Sequence, residues 1–187
     1  SKSLNKNIHK KTKEEKLFQK RVHKLLDLYI EKTPLKNMPE QLRDAVVKYQ
    51  EKWEKMLPAE KENWNYGAYS YEMDNVLDEF LAYGLTFKKV KTQLENIKIQ
   101  EEGPLFEGSI LDNLIKSIVE LFNALVDKVM GKNAKELLEA SFTDFVKNNV
   151  SLERTITDIY TELGRTTPRR RKFFKEMTEK IRAKKKC

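Results

Sequence analysis

Hydrophobic side chains recur along this chain at intervals of three and four residues, which is the spacing of one face of an α-helix. The clearest stripe comprises Leu42, Ala45, Val46, Tyr49, Trp53, Met56 and Leu57. A second stripe lies within residues 17–29. No run of the sequence alternates apolar and polar side chains in the manner of a half-buried strand. The pattern predicts an all-α protein, a bundle of about seven or eight helices.

Capping and turn-forming residues give approximate ends to these helices. Thr12 and Glu15 have the T-x-x-E spacing of a capping box, which predicts that the first helix begins at Thr12. Ser109 and Asp112 are predicted to cap a later helix in the same way. Gly84 is predicted to close the helix over residues 69–81, because glycine readily adopts the left-handed conformation found just after a helix.

Residues 110–130 form a predicted helix whose apolar residues cover more than one face. Such a helix is normally central to a bundle or buried in an interface. Gly103, Pro104 and Gly108 precede it and form the strongest break in the chain. We therefore predict four regions: a basic extension (1–11), a helical subdomain (12–102), a second helical subdomain (109–164), and a basic C-terminal helix and tail (165–187).

Charge is distributed unevenly along the chain, whose formal net charge is +8. Residues 1–24 contain nine lysines and arginines but two glutamates, and residues 165–187 contain eleven against two. The acidic residues outnumber the basic ones between these ends. An acidic body with basic ends points to a polyanionic partner. The alternatives are that the ends keep the helices soluble, or that they dock on the acidic body of a neighbouring copy.

The basic ends supply the candidate binding residues, since lysines and arginines bind phosphates and displace their counterions. The predicted polyanion-binding residues are Arg169, Arg170, Arg171, Lys172, Lys175 and Arg182, assisted by Lys10, Lys11, Lys13, Lys20 and Arg21. The favoured function is a non-enzymatic adaptor or assembly subunit whose basic ends contact nucleic acid, either DNA or RNA, or another polyanion.

Two other functions are compatible with the same sequence. In the first, the chain is a protein–protein interaction module whose apolar helix over 110–130 is buried by a partner or a second copy. In the second, the basic C-terminal helix lies on an anionic membrane surface, with Phe173 and Phe174 inserted among the lipid headgroups.

Two segments resemble DNA-binding motifs. Residues 151–175 resemble a helix-turn-helix, with a turn at Gly164 and a basic second helix capped by Thr167. The chain departs from that motif at Tyr160, where a small side chain normally lets the helices approach. Residues 52–71 resemble part of an HMG box, a family whose members bend DNA. The upstream part of that box is missing, so no functional residue is carried over.

The residue patterns of common catalytic and metal sites are missing from the sequence. His9 and His23 are its two histidines, and neither has a second histidine or a cysteine three or four residues away. There is no Cys-x-x-Cys pair, P-loop, dinucleotide fingerprint or G-x-S-x-G elbow. We therefore predict no enzymatic activity, no metal and no cofactor.

A cluster of aromatic residues surrounds Gly67 and comprises Trp64, Tyr66, Tyr69 and Tyr71. Such clusters stack nucleic-acid bases, anchor protein interfaces or join two packed helices. The sequence leaves these three roles open.

The cysteine count bears on localisation. Cys187 is the single cysteine, so a disulfide framework is excluded. This fits a reducing compartment. The expected location is therefore intracellular, in the cytoplasm or nucleus, with an organelle as the alternative.

Overall fold

The computed structural model describes residues 11–124 and 132–148, together with the two helical positions Glu176 and Glu179. The all-α prediction is confirmed. The described ranges contain seven α-helices: α1 (Lys13–Lys32), α2 (Glu40–Lys55), α3 (Pro58–Asn65), α4 (Tyr71–Thr86), α5 (Lys88–Asn96), α6 (Ile110–Ala124) and α7 (Lys132–Lys147). The resemblance to a helix-turn-helix and most of the predicted C-terminal helix lie outside these ranges.

Helix α1 begins where its sequence predicts. The Thr12 hydroxyl oxygen accepts a hydrogen bond from the backbone N–H of Glu15 at 3.2 Å. The Thr12 hydroxyl in turn donates to the Glu15 carboxylate at 3.0 Å. A cap of this kind contributes about 1 kcal/mol to helix stability. The helix ends at Lys32, and the next residue, Thr33, is extended because it precedes Pro34.

The predicted helix end at Gly84 is wrong, since α4 continues to Thr86. Gly84 is buried, and a Cβ atom placed on it would lie 2.8 Å from Leu94 Cδ1 and 3.3 Å from Leu114 Cδ1. The glycine is therefore present because three helices, α4, α5 and α6, approach one another at this point. Glycine suits both a helix end and a point where helices pack closely, so the sequence alone did not distinguish these two roles of Gly84.

Helix α6 lies at the centre of the bundle and packs against α1, α4, α5 and α7. Its apolar side chains are buried through Phe122, and the buried set is Ile110, Leu111, Leu114, Ile115, Ile118, Val119, Leu121 and Phe122. These residues cover more than one face because neighbours of the same chain surround the helix. The described part of α6 therefore has its apolar surface covered without a partner.

The start of α6 is fixed by the predicted cap. Ser109 Oγ accepts from the backbone N–H of Asp112, and Asp112 Oδ2 accepts from the backbone N–H of Ser109, both at 3.0 Å. Lys147 of α7 donates to Asp112 Oδ1 at 2.7 Å. Burial raises the pKa of Asp112, but the hydrogen bonds from Lys147 and Ser109 outweigh it and lower the pKa to about 2. The cap thus also joins α7 to α6.

The sequence break at residues 103–108 lies in the loop between α5 and α6. Two short strands, β1 (Lys98–Ile99) and β2 (Gly108–Ser109), pair antiparallel and close this loop. These strands were not expected from the sequence, because two residues are too few to show alternation. In the described ranges, one cluster of buried hydrophobic residues has members on both sides of this loop, from Val22 to Val146. The predicted division into two helical subdomains stays a prediction.

We expect the substitution Gly84→Val to lower the free energy of unfolding by about 1–3 kcal/mol, because the added methyl groups overpack the meeting point of three helices. Urea denaturation checks this. The control is Ala140→Val at an exposed position of α7, which should cost less than about 1 kcal/mol through helix propensity alone. Equal losses in the two variants would contradict the close-packing role of Gly84.

Candidate functional site

Four of the predicted polyanion-binding residues lie in the described ranges, at the beginning of the chain: Lys11, Lys13, Lys20 and Arg21. The others lie outside these ranges: Lys10, Arg169, Arg170, Arg171, Lys172, Lys175 and Arg182. The four described residues fall into two classes, one bonded within the protein and the other exposed.

Lys11 is bonded within the protein. Its ammonium group donates to Asp74 Oδ1 at 2.9 Å and also contacts the Gln19 side-chain oxygen. It lies 5.9 Å from the centre of the Trp64 ring. Because this ammonium group is paired with a carboxylate, it is less available to an external anion than its sequence position suggests.

Arg21 also has an internal role. Its Nε donates to the carbonyl oxygen of Pro104 at 2.9 Å, and its guanidinium group lies 4.8 Å from the centre of the Phe106 ring. Burial lowers the pKa of Arg21, and the charge of Glu120 opposes this shift. Lys116 of α6 lies 5.8 Å from the same ring. Arg21 therefore fastens the loop over residues 103–108 to α1.

Lys13 and Lys20 are exposed on α1. With Leu17 and Lys24 they have spacings of four, three and four residues, which place all four on one side of the helix. We call Lys13, Leu17, Lys20 and Lys24 the basic ridge. Leu17 is 42% exposed. Lys24 lies 3.7 Å from the carboxylate of Glu102, an exposed ion pair of the kind that contributes little to stability.

The aromatic cluster divides into one buried and three exposed side chains. Trp64 is 2% exposed, whereas Tyr66, Tyr69 and Tyr71 are 60–69% exposed. Trp64 is thus packed between helices, and the three tyrosines lie at the surface. Between α2, α3 and the start of α4 lies a groove of about 330 Å³. We call this the tyrosine groove, with Met56, Glu60, Tyr69, Tyr71 and Glu72 among its lining residues.

The Asp74 carboxylate holds the loop that forms this groove. Oδ1 accepts from the Trp64 indole N–H at 3.3 Å as well as from Lys11, and Oδ2 accepts from the backbone N–H of Ser70 at 2.9 Å. Gln19 of α1 donates to the carbonyl oxygen of Trp64 at 3.1 Å. The groove is therefore built on a hydrogen-bonded base that links α1, α3 and α4.

Gly67 brings the groove close to the beginning of α1. Its φ of +101° is in the left-handed region that favours glycine. A Cβ atom at this position would lie 3.2 Å from Lys16 Cε and 3.3 Å from Lys11 Cβ. The turn that carries the tyrosines therefore packs directly against the lysine side chains.

His23, Tyr49 and Asp27 form a second hydrogen-bonded polar group. His23 Nε2 lies 2.8 Å from the Tyr49 hydroxyl oxygen, and that hydroxyl donates to Asp27 Oδ1 at 2.6 Å. Because the single Tyr49 proton goes to Asp27, neutral His23 must donate from Nε2. The imidazole ring packs edge-on against Trp53 and Trp64, each with ring centres 5.0 Å away.

Burial shifts the pKa values of His23 and Tyr49 toward their uncharged forms. Burial lowers the pKa of His23, and the negative charge of Asp27 opposes this shift. Burial also raises the pKa of Tyr49 well above its usual range, and the hydrogen bond to Asp27 adds to this effect. The arrangement holds Tyr49 protonated at neutral pH, so it acts as a hydrogen-bond link between His23 and Asp27.

Within residues 11–124 and 132–148, no group of three or more histidine, aspartate or glutamate side chains is placed to hold a metal ion. In the same part of the chain, no helix combines the length and the apolar character that crossing a membrane requires. Comparisons with protein-family models, with curated proteins and with solved structures find no match to this chain. The function is therefore inferred from the surfaces just described.

We expect the free energy of unfolding to fall as the pH decreases below about 6.5, the ordinary pKa of histidine. Unfolded His23 takes up a proton in this range, whereas folded His23 does so only at lower pH, so acid favours the unfolded chain. Urea denaturation at pH 5, 6 and 7.5 measures this slope. In the variant His23→Gln the slope should become shallower, and an unchanged slope would show that His23 does not cause it.

We expect Asp74→Ala to destabilise the protein by about 1–3 kcal/mol, because it leaves the Trp64 indole N–H and the Ser70 backbone N–H without their acceptor. Urea denaturation followed by tryptophan fluorescence measures the loss. The control is Asp44→Ala at an exposed position of α2, which should change stability by less than about 0.5 kcal/mol. Similar values for both variants would contradict the supporting role of Asp74.

Proposed function

We propose that this protein is a non-enzymatic helical adaptor that binds nucleic acid or another polyanion through the basic ridge and the basic ends of the chain. The single observation that supports this proposal is the exposure of Lys13 and Lys20 on one side of α1. Neither side chain forms an ion pair with another described residue. Their ammonium groups are thus available to phosphate oxygens.

The geometry of the ridge suits a phosphate backbone. A spacing of seven residues separates Lys13 and Lys20 by about 10 Å along the helix axis, since each residue rises about 1.5 Å. Two ammonium groups at this separation can contact different phosphates of one strand. Such contacts depend on charge and carry no sequence preference, so DNA and RNA are both candidate ligands.

The arginines at the C-terminal end add to this proposal through their sequence alone. Arg169, Arg170, Arg171 and Lys172 give the chain a second concentration of positive charge. Two separated basic segments raise the affinity for a long polyanion, because binding of one segment increases the local concentration of the other. The proposed location is a reducing intracellular compartment that contains nucleic acid, in keeping with the single cysteine.

We expect the double variant Lys13→Gln/Lys20→Gln to bind nucleic acid more weakly than the intact chain. Each lysine that contacts a phosphate contributes about one unit to the salt dependence of the logarithm of the binding constant. The double variant should therefore reduce this slope by about two. Fluorescence anisotropy of a labelled single strand and a labelled duplex, at about 50 and 200 mM salt, measures the effect.

The matched control is Lys88→Gln/Lys89→Gln, which removes two exposed lysines from α5 and should leave the slope closer to that of the intact chain. Equal effects of the two double variants would show that net charge, not the ridge, determines binding. No binding of either nucleic acid at 50 mM salt would overturn the proposal. Binding of anionic lipid vesicles without binding of nucleic acid would favour the membrane alternative instead.

A further inference from the structure

Two exposed aromatic side chains, Tyr69 and Tyr71, line the tyrosine groove. Of the six large hydrophobic residues that are exposed in the described ranges, four lie within the sequence segment 57–71: Leu57, Tyr66, Tyr69 and Tyr71. Apolar surface gathered in one place commonly marks an interaction site. Tyrosine is also among the residues that contribute most binding energy at protein interfaces.

The charge of the groove differs from that of the whole chain. Two carboxylates, Glu60 and Glu72, and one ammonium group, Lys52, are among its lining residues. The surrounding segment, residues 51–74, contains six acidic and three basic residues. Of these three, Lys61 lies over the Trp53 ring, 4.7 Å from its centre. The groove is thus an acidic and aromatic surface on a protein whose net charge is +8.

This combination favours a cationic ligand over a nucleic acid. Carboxylates repel phosphates, so Glu60 and Glu72 oppose nucleic acid at the place where the tyrosines could stack on bases. A guanidinium group fits both features, since it stacks on aromatic faces and forms paired hydrogen bonds with carboxylates. The volume of about 330 Å³ is at the lower end of the range for ligand pockets, which suits one or two side chains.

The walls of the groove are held in place before any ligand binds. Glu60 Oε1 accepts from the backbone N–H of Leu57 at 3.1 Å, so this carboxylate is oriented at the first turn of α3. Asp74 fixes Ser70, which lies between Tyr69 and Tyr71. A surface that is ordered in advance loses less conformational entropy on binding.

We propose that the tyrosine groove binds an arginine-rich segment of a partner protein, with the guanidinium groups against the tyrosines and beside Glu60 and Glu72. This surface is separate from the basic ridge. A chain with one surface for a polyanion and another for a cationic protein segment has the two binding sites that an adaptor needs.

The test uses the full chain and a labelled synthetic peptide in which arginine alternates with glycine, Gly-Arg-Gly-Arg-Gly-Arg-Gly. A peptide with citrulline in place of arginine keeps the shape and removes the charge. Fluorescence anisotropy should show binding of the arginine peptide and little binding of the citrulline peptide. Attraction between net charges does not explain such binding, because the protein and the arginine peptide both carry a net positive charge.

Two variants examine the two features of the groove separately. Tyr71→Ala removes one ring, and Glu60→Gln/Glu72→Gln removes the charges while glutamine still caps α3. Each variant should weaken binding of the arginine peptide by about tenfold or more, the effect of a substantial interface contact. The control Glu31→Gln/Glu40→Gln removes two exposed carboxylates elsewhere and should change the affinity less than about twofold. Circular dichroism confirms that each variant is folded.

Three results would overturn the inference. The first is no binding of the arginine peptide at low salt, and the second is equal binding by the intact chain and both groove variants. The third is binding of a single-stranded oligonucleotide at the groove. Such binding would be weakened by Tyr71→Ala and strengthened by Glu60→Gln/Glu72→Gln. The variant Lys13→Gln/Lys20→Gln should leave peptide binding unchanged, which separates the outcome of this test from that of the proposed polyanion function.

Discussion

The buried indole of Trp64 is the constraint on which both candidate surfaces depend. A buried tryptophan N–H requires an acceptor, because leaving it unpaired costs free energy. Asp74 supplies that acceptor from the first turn of α4, and the same carboxylate holds Lys11 and the backbone of Ser70. The carbonyl oxygen of Trp64 is bonded in turn to Gln19 of α1. The position of one side chain therefore fixes the relation between α1, α3 and α4.

The Lys11–Asp74 ion pair joins the segment before α1 to the first turn of α4. Lys11, which precedes α1, is paired with Asp74, whereas Lys13 and Lys20 on α1 are exposed. The tyrosines lie beyond Gly67, on the turn that packs against Lys11 and Lys16.

Both the number of cations in the sequence and their positions matter for a charge-based function. Lys11 and Arg21 have internal acceptors, at Asp74 and at the carbonyl oxygen of Pro104. Lys24 lies near Glu102. Lys13 and Lys20 are thus the described members of the predicted polyanion-binding set with the fewest competing contacts. A count of basic residues in the first 24 positions overstates the charge that a ligand meets.

The periodicity of the apolar residues was enough to predict an all-α protein, because a helix buries one face and the spacing of that face is local. The caps of α1 and α6 were also predictable, since a capping box joins residues three positions apart. For the same reason, the sequence identified α6 as a helix covered on several sides. These features depend on neighbours in the chain, which the sequence shows directly.

The tertiary structure decided what depends on residues that are distant in the sequence. Gly84 resembles a helix end but is a meeting point of three helices, because its neighbours Leu94 and Leu114 come from other elements. Trp64 and Tyr66 belong to one aromatic cluster in the sequence, yet one is buried and the other exposed. The sequence thus determined the helical fold class and the total charge. Packing determined which tyrosines and lysines reach the surface, because burial is set by contacts between elements and not by residue type.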